Sequence, residues 1–303
     1  MSAPSLAFER VTRRFGKKVA LDVVDLSVEP GTVLGLVGRN GAGKTTALRL
    51  AMGILWPDAG TIAVLGLDPV TQGIAVRERA SLLSEETALY PWMTVKELLD
   101  LAAALHPRWD RELAERTRKN LDLDPEARIA DLSRGTKAKV ALVAAVAPRP
   151  ELLLLDDPTA GLDPLVRREV LDALLDAVVE QGGAVVYASH LIHDIERIAD
   201  RVAVLDAGRV RVDAPLDAMK ARIVRARAVF ETETAAIPKI PGVLTADREG
   251  RVLTVVAERE NGELRAALLG AGASEVEIAP LPLEEILIAL LREGRPSKEA
   301  EHV

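Results

Sequence analysis

The stretch GRNGAGKT, residues 38–45, decides the fold of this chain. It fits the pattern G-x-x-x-x-G-K-[ST], which marks a phosphate-binding loop where it follows a strand and opens a helix. Both flanks meet this condition, because Val33–Val37 is a short apolar run and residues 44–52 have helical periodicity. A glycine-rich turn with an incidental lysine is the alternative, with a probability of about one in a hundred in such a chain. The loop therefore predicts a nucleotide site.

Each residue type in this phosphate loop has its own task. The glycines let the backbone curl until its N–H groups face phosphate oxygens, and the following helix adds its positive N-terminal end. Lys44 can reach the β- and γ-phosphates, and Thr45 can bind Mg²⁺ through its hydroxyl. We expect the nucleotide-binding residues of this segment to be Gly38, Asn40, Gly41, Gly43, Lys44, Thr45 and Thr46.

Outward from the loop, the first two-thirds of the chain alternates strand-like and helix-like segments. Unbroken apolar runs at residues 152–155 and 184–188 predict strands that are covered on both faces. Helical segments at residues 95–105, 138–147 and 165–179 lie between and around them. This order predicts an α/β fold with a parallel sheet.

The last third of the chain has a different character. Short strand-like runs there alternate with helical segments at residues 262–269 and 283–291, which predicts a small α+β domain. We expect a nucleotide-binding domain at residues 1–216, an accessory domain at 217–294 and a disordered polar tail at 295–303.

Composition limits the partners and the compartment. The net charge of −7 over 303 residues argues against nucleic acid as a partner. Cysteine is absent, which excludes disulfides and thiolate metal sites and fits a reducing cytoplasm. The first ten residues lack the features of a secretory signal, and every apolar run is far shorter than the ~20 residues that span a bilayer. A role at a membrane therefore requires another protein to cross it.

A carboxylate ends the second predicted strand. Asp156 follows residues 152–155 at the end of the strand where parallel sheets bind ligands, and its oxygens suit Mg²⁺. Taken alone, a buried strand followed by an ordinary exposed aspartate is the alternative.

Further motifs follow in a fixed order. Residues 132–136, LSRGT, resemble the LSGGQ signature of ABC ATPases, and residues 156–163, DDPTAGLD, resemble the family's DEPTSGLD segment. Ser189 and His190 follow the third strand as the family's histidine loop does, and Phe15 lies where the family keeps an aromatic residue that stacks on adenine.

This resemblance covers about residues 6–212 and implies a P-loop NTPase core of ABC ATPase type, with a helical signature subdomain at about residues 85–150. It implies an ATPase that forms a head-to-tail homodimer or heterodimer around two ATP molecules. Closure and opening of that dimer would drive a separate membrane permease, at the cytoplasmic face of the membrane. Residues 90–95 resemble the surface that meets the permease, and the small C-terminal domain resembles those of exporter or drug-resistance subunits.

The resemblance also assigns residues to the partner's nucleotide. Ser133 and the N–H of Gly135 would contact the γ-phosphate across the dimer, at the start of a helix predicted at residues 137–147. Asp163 belongs to the same nucleotide-binding set.

Three catalytic residues follow from the resemblance: Asp157, His190 and Glu85. At the position of Asp157 the family has a glutamate, which polarises the attacking water. The aspartate side chain is one methylene shorter. Because a displacement of about 1 Å can lower a rate by up to ~10²-fold, we expect slow hydrolysis. Glu85 replaces a glutamine and would join Thr45 and Asp156 as a Mg²⁺ ligand, the alternative being an exposed loop acid. His190 would reach the γ-phosphate, the alternative being a histidine that caps the strand end.

Arg134 and Thr136 also depart from the signature, where the family has glycine and glutamine. Arg134 either pairs with phosphate across the dimer or is a surface arginine beside Lys137 and Lys139, and we favour the surface role.

Two rival functions come from the same family. An ABC ATPase of DNA repair is disfavoured, because such relatives have a long coiled coil between the phosphate loop and the signature, and only about ninety residues separate them here. An ABC ATPase of translation is disfavoured, because such relatives have two ATPase copies and the motifs occur once in this chain. A slow or degenerate nucleotide switch without a transport role is the alternative that Asp157 and Glu85 support.

Overall fold

A computed structural model describes residues 3–84, 89–178, 182–232, 240–259 and 261–292. The strands, in chain order, are β1 (Leu6–Phe15), β2 (Lys18–Val28), β3 (Val33–Val37), β4 (Ala59–Val64), β5 (Ala80–Ser84), β6 (Leu152–Asp156), β7 (Ala184–Ser189), β8 (Arg201–Asp206), β9 (Arg209–Pro215), β10 (Ile223–Phe230), β11 (Val243–Glu249), β12 (Val252–Glu258) and β13 (Ala273–Pro280). The helices are α1 (Lys44–Ala51), α2 (Gly73–Arg79), α3 (Val95–Leu105), α4 (Arg111–Asn120), α5 (Arg134–Val146), α6 (Pro164–Val178), α7 (Ile192–Ile198), α8 (Leu216–Arg222), α9 (Asn261–Gly270) and α10 (Leu283–Arg292).

Two compact units divide the chain. One contains Met1–Leu191 and Ile198–Arg211, and the other contains Ile192–Arg197 and Val212–Val303. The predicted boundary at residue 217 stays a proposal, and the predicted disordered tail at residues 295–303 lies outside the described residues.

The central sheet of the first unit has the strand order β5-β6-β7-β3-β8-β9. Strands β5, β6, β7, β3 and β8 pair in parallel, as the unbroken apolar runs predict. The leucines of β6 and the residues of β7 are buried, because helices cover both faces of such a sheet. Their register brings Val37, Asp156 and Ser189 to one edge, where the strands end. This carboxyl edge holds the site.

A second sheet of the first unit, in the order β2-β1-β4, is antiparallel, and the sequence did not predict it. Register shifts interrupt the pairing of β1 with β2 after Phe8, near Arg10 with its φ of 52°, and break the alternation that would have revealed the strands. The hairpin between them closes with Phe15 opposite Lys18. It thereby carries Phe15 to the site.

The helices between β5 and β6 start at polar caps. Thr94 and Glu97 form a reciprocal capping box at α3, and Asp110 accepts the N–H of Leu113 at α4. Helix α5 begins at Arg134 rather than at residue 137 or 138, because Ser133 is its cap and accepts the N–H of Thr136. The signature segment is thus the first turn of a helix.

In the second unit, an antiparallel sheet has the order β11-β12-β10-β13. Helix α9 packs on it through Leu264 and Leu268, which join the alternating buried residues of β10 and β12 in one core. The α+β character that the sequence predicted for the last third is therefore observed, with the helices close to their predicted positions.

Candidate functional site

The phosphate loop follows β3 and has the backbone that its glycines permit. Gly43 has a φ of 115°, and a Cβ there would lie 2.5 Å from the carbonyl oxygen of Ala20. A Cβ on Gly38 would lie 2.4 Å from the carbonyl oxygen of Leu205. Helix α1 starts at Lys44 without a side-chain cap, so its first N–H groups remain available to an anion.

Lys44 is buried, and its Nζ donates a hydrogen bond to the carbonyl oxygen of Gly38 at 2.7 Å. Burial lowers the pKa of Lys44 from its ordinary value, against the opposing charges of Asp157 and Asp156. The ammonium therefore lies within the loop, beside two carboxylates, where a phosphate can bind to it.

Thr45 and Asp156 come together from elements 111 residues apart. The Thr45 hydroxyl donates to Asp156 Oδ1 at 3.0 Å. Burial raises the pKa of Asp156, the hydrogen bond from Thr45 opposes the shift, and the charge of Asp157 adds to it. A hydroxyl and a carboxylate are hard oxygen donors, and Mg²⁺ in nucleotide sites takes few protein ligands beside substrate phosphates and water, so this pair fits that ion. Glu85, the third predicted ligand, lies outside the described residues.

Asp157 is held at the end of β7. Its φ is 47°, and its N–H donates to the carbonyl oxygen of Ala188 at 2.8 Å. Its Oδ1 accepts hydrogen bonds from Ser189 Oγ at 2.8 Å and from the backbone N–H of His190 at 3.2 Å, and His190 Nδ1 lies 3.0 Å away. The two predicted catalytic residues of the described chain, Asp157 and His190, are therefore in contact.

Phe15 forms one wall of a cavity of about 360 Å³ above the phosphate loop. The Arg13 guanidinium lies over the Phe15 ring, 4.7 Å from its centroid, and pairs with Asp58 at 3.3 Å. The second oxygen of Asp58 accepts the N–H of Arg14 at 2.6 Å. One face of the ring is thus covered by the Arg13 guanidinium, and the ring remains 45% exposed and lines the cavity.

This cavity collects most of the predicted nucleotide-binding residues. It is lined by Phe15, Lys18, Ala20, Asn40, Gly41, Gly43, Lys44, Thr45, Thr46 and Asp157. Gly38, Ser133, Gly135 and Asp163 are not among the described residues that line it. Asp163 instead caps α6, since its Oδ1 accepts the N–H groups of Leu165 and Val166 at 3.1 Å.

The signature segment, residues 132–136, is exposed at its centre. The hydroxyls of Ser133 and Thr136 lie 2.7 Å apart, and a Cβ on Gly135 would lie 3.2 Å from Val166 of α6. The Arg134 guanidinium rests on Gly161, where a Cβ would lie 2.4 Å from Nη1. Arg134 therefore contacts the segment that follows Asp157 in its own chain, a contact that neither interpretation from the sequence included.

Sequence reasoning missed several residues around the site. Arg13 and Asp58 support Phe15, Lys18 lines the cavity, and Ser189 contacts Asp157. Ser189 belongs to the histidine-loop segment named above, and only its contact with Asp157 was missed. Lys18 stands three residues after Phe15, and this proximity is the one signal the sequence offers for it. The contact of Asp58 with Arg13 joins residues 45 apart, and no pattern in the sequence marks it.

Comparison with known proteins decides the family. The family sequence model described as "ABC transporter" matches residues 21–160. The ABC transporter ATP-binding protein YtrB of Bacillus subtilis (strain 168) is 30% identical over 274 residues, which are 90% of this chain and 93% of that protein. The daunorubicin resistance ATP-binding protein DrrA3 of Streptomyces coeruleorubidus is 34% identical over 318 residues, covering 99% of this chain and 100% of that protein. The chain belongs to the ABC transporter family of ATP-binding proteins.

A solved structure of an ATP-binding subunit of an ABC transporter agrees with this assignment. It superposes with a TM-score of 0.65 at 27% identity and covers 71% of this chain and 91% of its own. The predicted P-loop NTPase core of ABC ATPase type is thus confirmed, as is the predicted function of an ATP-binding, ATP-hydrolysing transporter subunit. A nucleotide switch without a transport role is not favoured. Within the described residues, no helix is both long and apolar enough to cross a membrane.

Proposed function

We propose that this ABC ATPase binds ATP with Mg²⁺, hydrolyses it in a head-to-tail pair and drives a membrane-spanning permease from the cytoplasmic face of the membrane. The observation that carries the proposal is the convergence of Lys44, Thr45, Asp156 and Asp157 at the carboxyl edge of the central sheet. Bound between Thr45 and Asp156, Mg²⁺ would neutralise charge on the β- and γ-phosphates.

The residues of this chain then divide the work. Phe15 stacks on the base, and the N–H groups of the loop with Lys44 hold the phosphates. Asp157 accepts a proton from the attacking water, and His190, exposed beside it, contacts the γ-phosphate. Glu85 remains a proposed Mg²⁺ ligand and catalytic residue.

The second half of each site comes from the partner subunit in this proposal. Ser133 and Gly135 lie at the N-terminus of α5, where N–H groups and the helix dipole favour a phosphate. They do not line the cavity that Lys44 lines in the same chain. A head-to-tail pair brings the signature segment of one subunit to the phosphate loop of the other.

The pairing test uses molecular mass in solution. With Asp157→Asn to slow turnover, Mg·ATP is expected to convert a monomer to a dimer, as measured by light scattering after size exclusion. Adding Ser133→Ala should prevent the dimer and leave the affinity of the monomer for ATP within twofold. A dimer that forms equally well without nucleotide, or with Ser133→Ala, would contradict the proposal.

An aromatic pair supports a docking surface for the permease. Tyr90 and Trp92 lie 5.3 Å apart and are 44% and 67% exposed. Their turn is held by backbone hydrogen bonds from Ala130 to Pro91 and from Ile129 to Met93. Exposed aromatic side chains on a rigid turn are typical of protein interfaces.

The docking test uses the permease reconstituted with this chain in lipid vesicles. Trp92→Ala should abolish stimulation of ATP hydrolysis by the permease, and the ATP-dependent dimer should still form. Stimulation equal to that of the unaltered chain would exclude this surface.

Because one relative is named for daunorubicin resistance, we also propose that cargo leaves the cell.

A further inference from the structure

We propose that Ser189 is a positioning residue for hydrolysis, because it fixes the orientation of the Asp157 carboxylate. This inference rests on the role proposed above for Asp157 as the group that takes the proton from water. Ser189 is not among the described residues that line the nucleotide cavity.

The backbone first turns Asp157 toward β7. A φ of 47° is seldom adopted by residues other than glycine, and the N–H of Asp157 is tied to the carbonyl oxygen of Ala188. The side chain therefore starts from a fixed point at the carboxyl end of β7. Its short length leaves few ways to place the two oxygens.

Hydrogen bonds then separate the two carboxylate oxygens. Oδ1 is within 2.8 to 3.2 Å of three nitrogen or oxygen atoms of Ser189 and His190. A carboxylate oxygen has two lone-pair sites, so Oδ1 is fully used. Within the described part of the chain, Oδ2 has no hydrogen-bond donor, and it is the oxygen left to accept a proton from water.

Ser189 is the immobile member of this group. It is fully buried, and its Oγ accepts the N–H of Leu191 at 3.0 Å. A hydroxyl carries one hydrogen, so the hydrogen of Ser189 goes to Asp157. The His190 side chain is 44% exposed and is free to turn toward phosphate. When it does, the Ser189 hydroxyl and the His190 N–H still hold Oδ1.

This division of labour suits a shortened carboxylate. The carboxylate of an aspartate lies one methylene further from the nucleotide than that of a glutamate. A wrong orientation of this carboxylate would add to the error in its distance from the attacking water. A supporting hydrogen bond from a buried side chain limits that error. Ser189 therefore acts on the rate of hydrolysis and leaves ATP binding alone.

The test compares two buried hydroxyls of β7. Ser189→Ala removes the one that contacts Asp157, and the control Tyr187→Phe removes one that lies 2.8 Å from the Thr159 hydroxyl. We expect kcat to fall at least tenfold in Ser189→Ala with KM for ATP within twofold, and kcat of Tyr187→Phe to stay within twofold. Ser189→Cys keeps a donor at this position, a weaker one on a larger atom, so its kcat should fall between the two, and it replaces the alanine variant if that variant fails to fold.

A double-mutant cycle separates positioning from general support. In an Asp157→Ala background, Ser189→Ala should lower the single-turnover rate no further. A further drop there, or a kcat of Ser189→Ala equal to that of the unaltered chain, overturns the inference. If Asp157→Ala keeps full activity, the role proposed for Asp157 fails as well. An inactive Asp157→Ala together with a fully active Ser189→Ala contradicts only the role proposed for Ser189.

Discussion

Strand β6 has a carboxylate at each end, Glu151 just before its first residue and Asp156 as its last. Glu151 accepts two hydrogen bonds from Arg79, at 2.9 and 2.6 Å, and one from Arg108 at 2.5 Å. These contacts, that with Arg79 above all, lower the pKa of Glu151 to about 2. At the other end, burial raises the pKa of Asp156, and the hydrogen bond from Thr45 offsets this only in part.

The difference shows how the two edges of the sheet are used. At the amino edge, arginine side chains of the chain itself neutralise the carboxylate, which stabilises the fold. At the carboxyl edge, Asp156 and Asp157 are adjacent, and the buried Lys44 has a lowered pKa. Such an arrangement costs stability and suits a bound ligand that brings its own charges. Substitutions at the carboxyl edge should therefore change activity, and those at the amino edge stability.

Lys44→Ala should have the largest effect. Loss of the ammonium that holds the β- and γ-phosphates should lower kcat/KM by about 10²- to 10³-fold. Steady-state ATP hydrolysis measures this, beside Lys17→Ala, an exposed lysine outside the cavity. Burial deprives the Lys44 ammonium of solvating water, which opposes folding. The thermal midpoint of unfolding of Lys44→Ala should therefore not fall below that of the unaltered chain. A clear fall would mean that Lys44 stabilises the fold as Glu151 does.

Asp156→Asn should weaken the proposed Mg²⁺ site and leave the fold intact. We expect the Mg²⁺ concentration for half-maximal hydrolysis to rise by at least about tenfold. The thermal midpoint should stay or rise, because burial penalises the charged form that asparagine lacks. Thr45→Ser keeps the hydroxyl and serves as the control. An unchanged Mg²⁺ dependence of Asp156→Asn would contradict the proposed ligand role.

Glu151→Gln should have the opposite profile. Its ATPase activity should match that of the unaltered chain, and its free energy of unfolding at pH 7 should fall by about 0.5–1 kcal/mol, a small figure because the side chain is 40% exposed. The folded pKa is about 2 and the ordinary value 4.5, so this stability is present above pH 4.5 and is lost as the pH falls toward 2.

Urea unfolding at pH 7, 5 and 4 measures this difference. The gap between Glu151→Gln and the unaltered chain should be constant at pH 7 and 5 and smaller at pH 4. Glu78→Gln, an exposed glutamate on α2, is the control. A gap that grows toward acid pH would show that the ion pairs with Arg79 and Arg108 do not stabilise the fold.

Arg13→Ala should have the smallest effect and tests the base end of the cavity. Loss of the cation over Phe15 is expected to raise the Kd for ATP about two- to fivefold. The Kd for inorganic tripolyphosphate should stay the same, because that ligand has no base. Isothermal titration calorimetry with ATP and with tripolyphosphate measures the two Kd values. Equal weakening for the two would show that Arg13 acts on phosphate and not through Phe15.

The fold was predictable where the signal was local. Strand β3 and helix α3 have their predicted bounds, Val33–Val37 and Val95–Leu105, because consecutive residues show the apolar pattern of each. The antiparallel sheet β2-β1-β4 was not predicted, since register shifts disturb its period and β4 joins β1 across about fifty residues. The sequence predicts a later start for α5 than the structure shows, because the motif around Ser133 indicates a phosphate contact while its hydroxyl also caps the helix.

For the site, the sequence by itself determined the phosphate loop, Asp156 as the end of a strand, and the family to which these motifs belong. Those features depend on residue type and short spacing, which a linear chain displays. Only the tertiary structure decided that Ser189 holds Asp157, that Arg13 and Asp58 support Phe15, and that Arg134 rests on Gly161. The contacts of Arg134 with Gly161, of Ser189 with Asp157 and of Arg13 with Asp58 join residues 27, 32 and 45 positions apart, as the numbering shows, and the contact at Asp157 also depends on its φ of 47°. Ser189 meets Asp157 because the parallel strands β6 and β7 end at one edge of the central sheet. Arg13 meets Asp58 because β1 pairs with β4 in the antiparallel sheet.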